Sequence, residues 1–131
     1  MTEGAHLTTA LHDVVAGGGG AQEVAEALRA GADVDAQDES GNTALFLAAS
    51  SRNLEALTAL LDAGADLEIE NAWGNTPLWS ATFNSRGDGR IIEALLERGA
   101  DPDHRNAAGN SPRTLAARVA NYDLQRFFPP H

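Results

Sequence analysis

Two short motifs recur in step along this chain, and they constrain its fold more than any other feature. Gly31-Ala32-Asp33 returns as Gly64-Ala65-Asp66 and as Gly99-Ala100-Asp101, at intervals of 33 and 35 residues. Gly41-Asn42-Thr43-Ala44-Leu45 returns as Gly74-Asn75-Thr76-Pro77-Leu78 and as Gly109-Asn110-Ser111-Pro112-Arg113, at the same two intervals. Near the start, Thr9-Ala10-Leu11-His12 is a partial copy, 34 residues before Thr43. Two markers that keep one phase mean that a whole unit is repeated. A unit of this size cannot bury an apolar face alone, so its copies must stack.

The residues between the markers specify what the unit is. Val24/Ala27/Leu28, Leu57/Leu60/Leu61, Ile92/Leu95/Leu96 and Leu124/Phe127/Phe128 are each spaced i, i+3, i+4, one face of a helix. Leu11/Val14/Val15, Leu45/Ala48/Ala49 and Leu78/Ala81/Thr82 form a second series of the same kind. Each unit therefore reads as helix, turn, helix. Thr43, Thr76 and Ser111 are placed to cap the first helices, with Pro77 and Pro112 at the first helical position. Gly31, Gly64 and Gly99 close the second helices. A short polar arm runs from each Gly-Ala-Asp to the next Gly-Asn. Its inward points are Val34, Leu67 and Pro102, and Gly41, Gly74 and Gly109 fit a tight turn at its tip. Composition agrees with helix: 25 Ala and 15 Leu stand against 8 Val and Ile. Extra residues fall between helices, near Gly17–Gly20 and in Asn84–Gly89, where insertion costs little.

These motifs resemble those of the ankyrin repeat family. The family's Thr-Pro-Leu-His appears as Thr76-Pro77-Leu78-Trp79, and less completely as Thr9-Ala10-Leu11-His12 and Thr43-Ala44-Leu45-Phe46. The resemblance covers about residues 5–128. It implies an all-α ankyrin repeat solenoid of four helix-turn-helix repeats with β-hairpin-like fingers. The chain, 1–131, is then one domain with repeats at about 5–37, 38–70, 71–105 and 106–128. The first and last repeats depart from the pattern as caps do: the first lacks a clear finger. In the last, Arg113 stands where Leu is expected, which suits a helix with no neighbour to cover it.

Charge narrows the function. Nine Arg and no Lys oppose 19 acids, a net of −10. Residues 1–70 carry −11 and residues 71–131 carry +1. A uniformly basic nucleic-acid binder is excluded, and attachment to anionic lipid by charge is not expected. No apolar run approaches ~18 residues, so no membrane span is expected. Met1–His6 lacks a basic stretch followed by an apolar one, so no signal peptide is expected. Zero Cys excludes disulfides and thiolate chemistry and fits a cytoplasmic protein.

No catalytic constellation emerges. Gly17–Gly20 is not followed by the Lys-Ser/Thr of a phosphate-binding loop and reads as an inter-helix turn. Asp33, Asp35 and Asp38 lack the Gly and distal Glu of a calcium loop. His6, His12, His104 and His131 have no partner at zinc-ligand spacing. His12 matches the family motif and is expected to hydrogen-bond structurally. No Ser nucleophile elbow is present. Catalysis, cofactor and metal are therefore not expected.

The resemblance implies a concave face of fingertips and first helices that binds proteins. Carried onto this chain, the face holds Glu39, Ser40, Asn42, Ser50 and Ser51, then Ala72, Trp73, Asn75, Phe83 and Asn84. Gln37, Glu70 and Arg105 end the fingers beside them. Trp73 lies in a polar turn, where an indole is costly unless a partner uses it. Phe83 ends a first helix at its open edge, whereas Trp79 takes the motif's His position and is expected to pack between repeats. Asp33, Asp66 and Asp101 recur at one position and are expected to cap local backbone. Glu39, Glu68 and Glu70 carry no such expectation. An acidic field around two aromatic side chains is expected to steer a basic protein partner to a free monomer. Small stand-alone bacterial proteins of this family resemble the chain, and some of them neutralise toxins, so an immunity-type inhibitor is one expectation. A general adaptor or stress-linked scaffold is the other.

Overall fold

The computed structural model describes residues 11–119 and 121–130. Residues 5–10, where the first repeat is expected to begin, lie outside the described residues, as do Thr9, Ala10, His6 and His131. Helix α1 occupies 11–16, followed by α2 (Ala21–Arg29), α3 (Ala44–Ser50), α4 (Leu54–Asp62), α5 (Pro77–Phe83), α6 (Arg90–Glu97) and α7 (Pro112–Arg118). The last element among the described residues is a 3-10 turn, Gln125–Phe127. Strands are absent among the described residues.

The helices form two rows. First helices pack on first helices (α3 on α5, α5 on α7), second helices on second helices (α2 on α4, α4 on α6), and within a repeat α3 packs on α4 and α5 on α6. The core runs between the rows. Leu11, Val15, Leu45, Ala48, Ala49, Leu78 and Ala81 enter it from the first row, and Val24, Leu57, Leu60, Ile92 and Leu95 from the second. Alanines on α3 and α5 let these backbones approach, while the branched residues opposite supply volume. Burying each such Leu or Ile stabilises the fold by about 1.5–3 kcal/mol.

Helix ends follow the local chemistry. Thr43, Thr76 and Ser111 accept the N–H of Phe46, Trp79 and Thr114 at 3.2, 3.4 and 3.2 Å. At the other end, Gly31, Gly64 and Gly99 adopt φ of 107°, 88° and 96°. Each donates to the carbonyl three residues back, and the following Ala donates five residues back, closing one Schellman motif three times. α3 closes in the same way, but with Arg52 at the left-handed position (φ 56°).

Three fingers leave the helical rows, each a tight turn rather than a strand pair. Asp38, Asn71 and Asn106 open the tips. Their N–H groups bond the carbonyls of Asn42, Asn75 and Asn110 at 2.9, 3.0 and 2.8 Å. Their side-chain oxygens accept two further tip N–H groups each. Gly74 sits at φ 77° with the backbone of Ala107 so near that a side chain there would collide with the next finger.

The fourth repeat departs from the expected pattern. Leu124, Phe127 and Phe128 do not form an α-helical face; Leu124 and Phe128 are buried from the 3-10 turn and the segment after it. Phe128 precedes Pro129 and is extended (ψ 137°), as a residue before proline prefers. Gly87 and Gly89 of the inserted loop receive the Tyr122 and Phe127 rings. Arg113 is likewise not left uncovered. Its guanidinium pairs with Asp103 at 2.8 Å and donates to the Pro129 carbonyl, leaving the side chain 19% exposed.

Candidate functional site

The fingers are stitched to one another by a repeating set of bonds, and that set decides which side chains remain available. Ala72 N–H donates to the Ser40 carbonyl at 3.0 Å, and Ala107 N–H to the Trp73 carbonyl at 3.1 Å. Asn71 donates to Asn42 at 3.1 Å and Asn106 to Asn75 at 2.8 Å. Asp35 accepts Asp66 N–H at 2.8 Å, and Glu68, one repeat on, accepts Asp101 N–H at 2.9 Å. Asp33, Asp66 and Asp101 each cap the N–H two residues on, as expected.

Several residues expected on the binding face therefore have roles inside the fold. Asn42 and Asn75 are rungs between fingers. Ser50 lies 2.6 Å from the Ser80 hydroxyl, Ser51 donates to the Leu47 carbonyl, and Asn84 to the Ser80 carbonyl. Arg105 donates across its own finger to Gly109 at 2.9 Å, as Gln37 does to Gly41 at 2.8 Å. Glu70 is at the equivalent position and has no donor to offer. It binds instead to His104.

His104 corrects the reading of Glu68 and Glu70 as carboxylates without a structural part. Its Nδ1 lies 3.0 Å from Glu68 Oε1 and its Nε2 lies 2.6 Å from Glu70 Oε2. The hydrogen bond to Glu70, then that to Glu68, raises its pKa above the ordinary value despite partial burial. The spacing of His104 in the sequence carries no sign of this, because both partners lie more than thirty residues away on the previous finger. His12 bonds the Asn42 carbonyl at 2.9 Å and is buried, in keeping with its expected structural part.

What remains open is aromatic and acidic. Trp73 is 61% and Phe83 69% exposed, whereas Trp79 is half-buried. Along the tips, Trp73 occupies the position of Ser40 in the finger before it and Ala108 in the finger after it. Both neighbours are too short to cover an indole. Glu39 is exposed beside Ser40 and has no hydrogen-bond partner among the described residues. Away from this face, in the inserted loop, Arg90 grips Asp88 at 2.7 Å and holds its carboxyl down at about 2. Among the described residues no group of His, Asp and Glu could hold a metal ion, and no helix is long and apolar enough to cross a membrane.

Residues 11–106 match the family model for ankyrin repeats, in three copies. The matched stretch ends at Asn106, where the divergent fourth repeat begins. No curated protein matches the chain.

Proposed function

This chain belongs to the ankyrin repeat family, and from that premise we propose that it binds a basic protein on the face made by its fingertips and first helices. Ankyrin repeats are protein-interaction modules. The observation that carries the finer reading is the exposure of Trp73, 61%, on the finger that bears Glu68 and Glu70, with Phe83, 69% exposed, ending α5. Isolated exposed apolar residues are ordinary. A large indole raised between two short neighbours at a fingertip is a different case, since Trp leads the residues that dominate binding energy at interfaces. Finger one presents Asp33, Asp35, Asp38 and Glu39 within seven residues of chain, with no basic residue among them.

In its sharpest form the reading is an inhibitor that covers a basic toxin. The partner is to be recovered from native cells with the wild-type chain and with Trp73→Ala. We expect the substitution to weaken binding by about 2 kcal/mol, roughly 30-fold, with little change in the thermal midpoint. A collapse of stability with unchanged binding would place the indole in the fold and not in the interface. An acidic partner would sink the electrostatic half of the reading, and a basic partner with no toxic activity would reduce it to an adaptor.

A further inference from the structure

The junction of fingers two and three holds an arrangement that the binding face alone does not explain. Both ring nitrogens of His104 meet carboxylates, Glu68 at 3.0 Å and Glu70 at 2.6 Å. Carboxylates only accept, and a neutral imidazole has one donor. Both contacts are hydrogen bonds only while His104 carries both ring protons. We infer that this trio is a proton-operated gate on the binding face: imidazolium His104 offsets the charge of Glu70 between the fingers, and neutral His104 leaves that charge open to a cationic group of the partner. The inference rests on the reading that a basic protein docks on this face.

The two carboxylates are not equivalent. Glu68 also accepts Asp101 N–H at 2.9 Å and stays anchored when the proton leaves. The Glu70 carboxylate has His104 as its hydrogen-bond partner, its side chain is 50% exposed, and it stands on the same finger as Trp73. The surrounding charges do not replace the imidazolium. On His104's own finger, Asp101 caps Asp103 N–H at 2.9 Å and Asp103 pairs with Arg113 of α7 at 2.8 Å. Arg105 is turned to the Gly109 carbonyl, and Gln37 of finger one reaches the backbone carbonyl of Glu70, not its carboxylate.

Two quantities must then move in opposite directions with pH. His104 is raised above 6.5 in the folded chain. Its stabilising contribution is therefore complete below the unfolded value of about 6.5 and is lost as pH rises through the folded value. Over that same interval the trio gains one negative charge, so affinity for a basic ligand must rise. One unit charge at about 6 Å in a water-like dielectric corresponds to roughly a threefold gain.

The test uses the full chain, an oligo-arginine peptide whose charge is constant, and NMR of the histidine rings. His104 should titrate above 6.5, and Glu70→Gln should lower that midpoint. Peptide affinity should rise roughly threefold through the same midpoint, and the step should vanish in His104→Gln. A midpoint at or below 6.5, or one unmoved by Glu70→Gln, overturns the gate. So does a peptide affinity that is flat or falling, or a step that survives in His104→Gln. Equal peptide affinity for Trp73→Ala and wild type would overturn the finger-face reading instead, leaving the ring titration to stand by itself.

Discussion

Arg52 and Trp73 are exceptions for different reasons, and both are visible one residue at a time. Arg52 ends α3 at φ 56°, in the left-handed conformation that Gly31, Gly64 and Gly99 take at the equivalent point of the second helices. That conformation costs a residue with a Cβ about 1–2 kcal/mol, while Gly gives up roughly 0.5–1 kcal/mol through the entropy of the unfolded chain. The first term is larger. Arg52→Gly should therefore raise stability by about 0.5–1 kcal/mol in chemical denaturation, with the denaturant slope unchanged. A loss would mean that the guanidinium contributes more than its exposed position allows. Trp73 has no such backbone strain: its N–H is taken by Asn71 at 3.0 Å and its carbonyl by Ala107 at 3.1 Å. Its main chain is a regular part of the finger, and only the indole is unaccounted for by folding.

At the scale of elements, the regular part of the stack is legible in the sequence. The i, i+3, i+4 sets name α2 through α6, because each apolar face is spelled out within a few consecutive residues. The last element was not legible, and the reason is local. Leu124, Phe127 and Phe128 keep the helical spacing, but Pro129 forces Phe128 out of the helical region and leaves room for one 3-10 turn. The bonds of Glu68 and Glu70 to His104 are not legible either, since a bond between fingers depends on which side chain faces which across a repeat, and sequence spacing shows only that they share a period. The terminal turn is held instead by the inserted loop, where the Phe127 ring lies on Gly89 and under Arg126, 4.7 Å from the ring centre. Gly89 has an ordinary φ of −88°, so any cost of a side chain there is one of packing. Gly89→Ala should destabilise by about 1–3 kcal/mol. In Phe127→Ala the same change should be nearly neutral, because the ring that collides with the new methyl is gone. Thermal melts of the two single variants and the double variant measure that coupling, and additive effects would mean that the ring does not rest on Gly89.

For the whole molecule, the uneven charge matters through where the stack puts it. The first 70 residues carry −11 and the remainder +1, and a linear stack cannot mix them. The acidic half ends in the finger that bears Trp73, so on the proposed function a basic partner would be steered toward the indole. Such steering acts on the association rate and is screened over about 10 Å at 0.1 M salt and about 3 Å at 1 M. Glu39 and Glu93 are both exposed, one on finger one and one on helix α6 of the second row, and reversing either changes the net charge equally. If direction governs, Glu39→Lys should slow binding of an oligo-arginine peptide several-fold at low salt, Glu93→Lys should slow it much less, and the gap should close near 1 M. Stopped-flow quenching of tryptophan fluorescence reads these rates, with Trp73→Phe identifying the responsive indole. Equal slowing by the two reversals would mean that the peptide feels only the total charge. The acidic half would then attract cations without delivering them to a particular face.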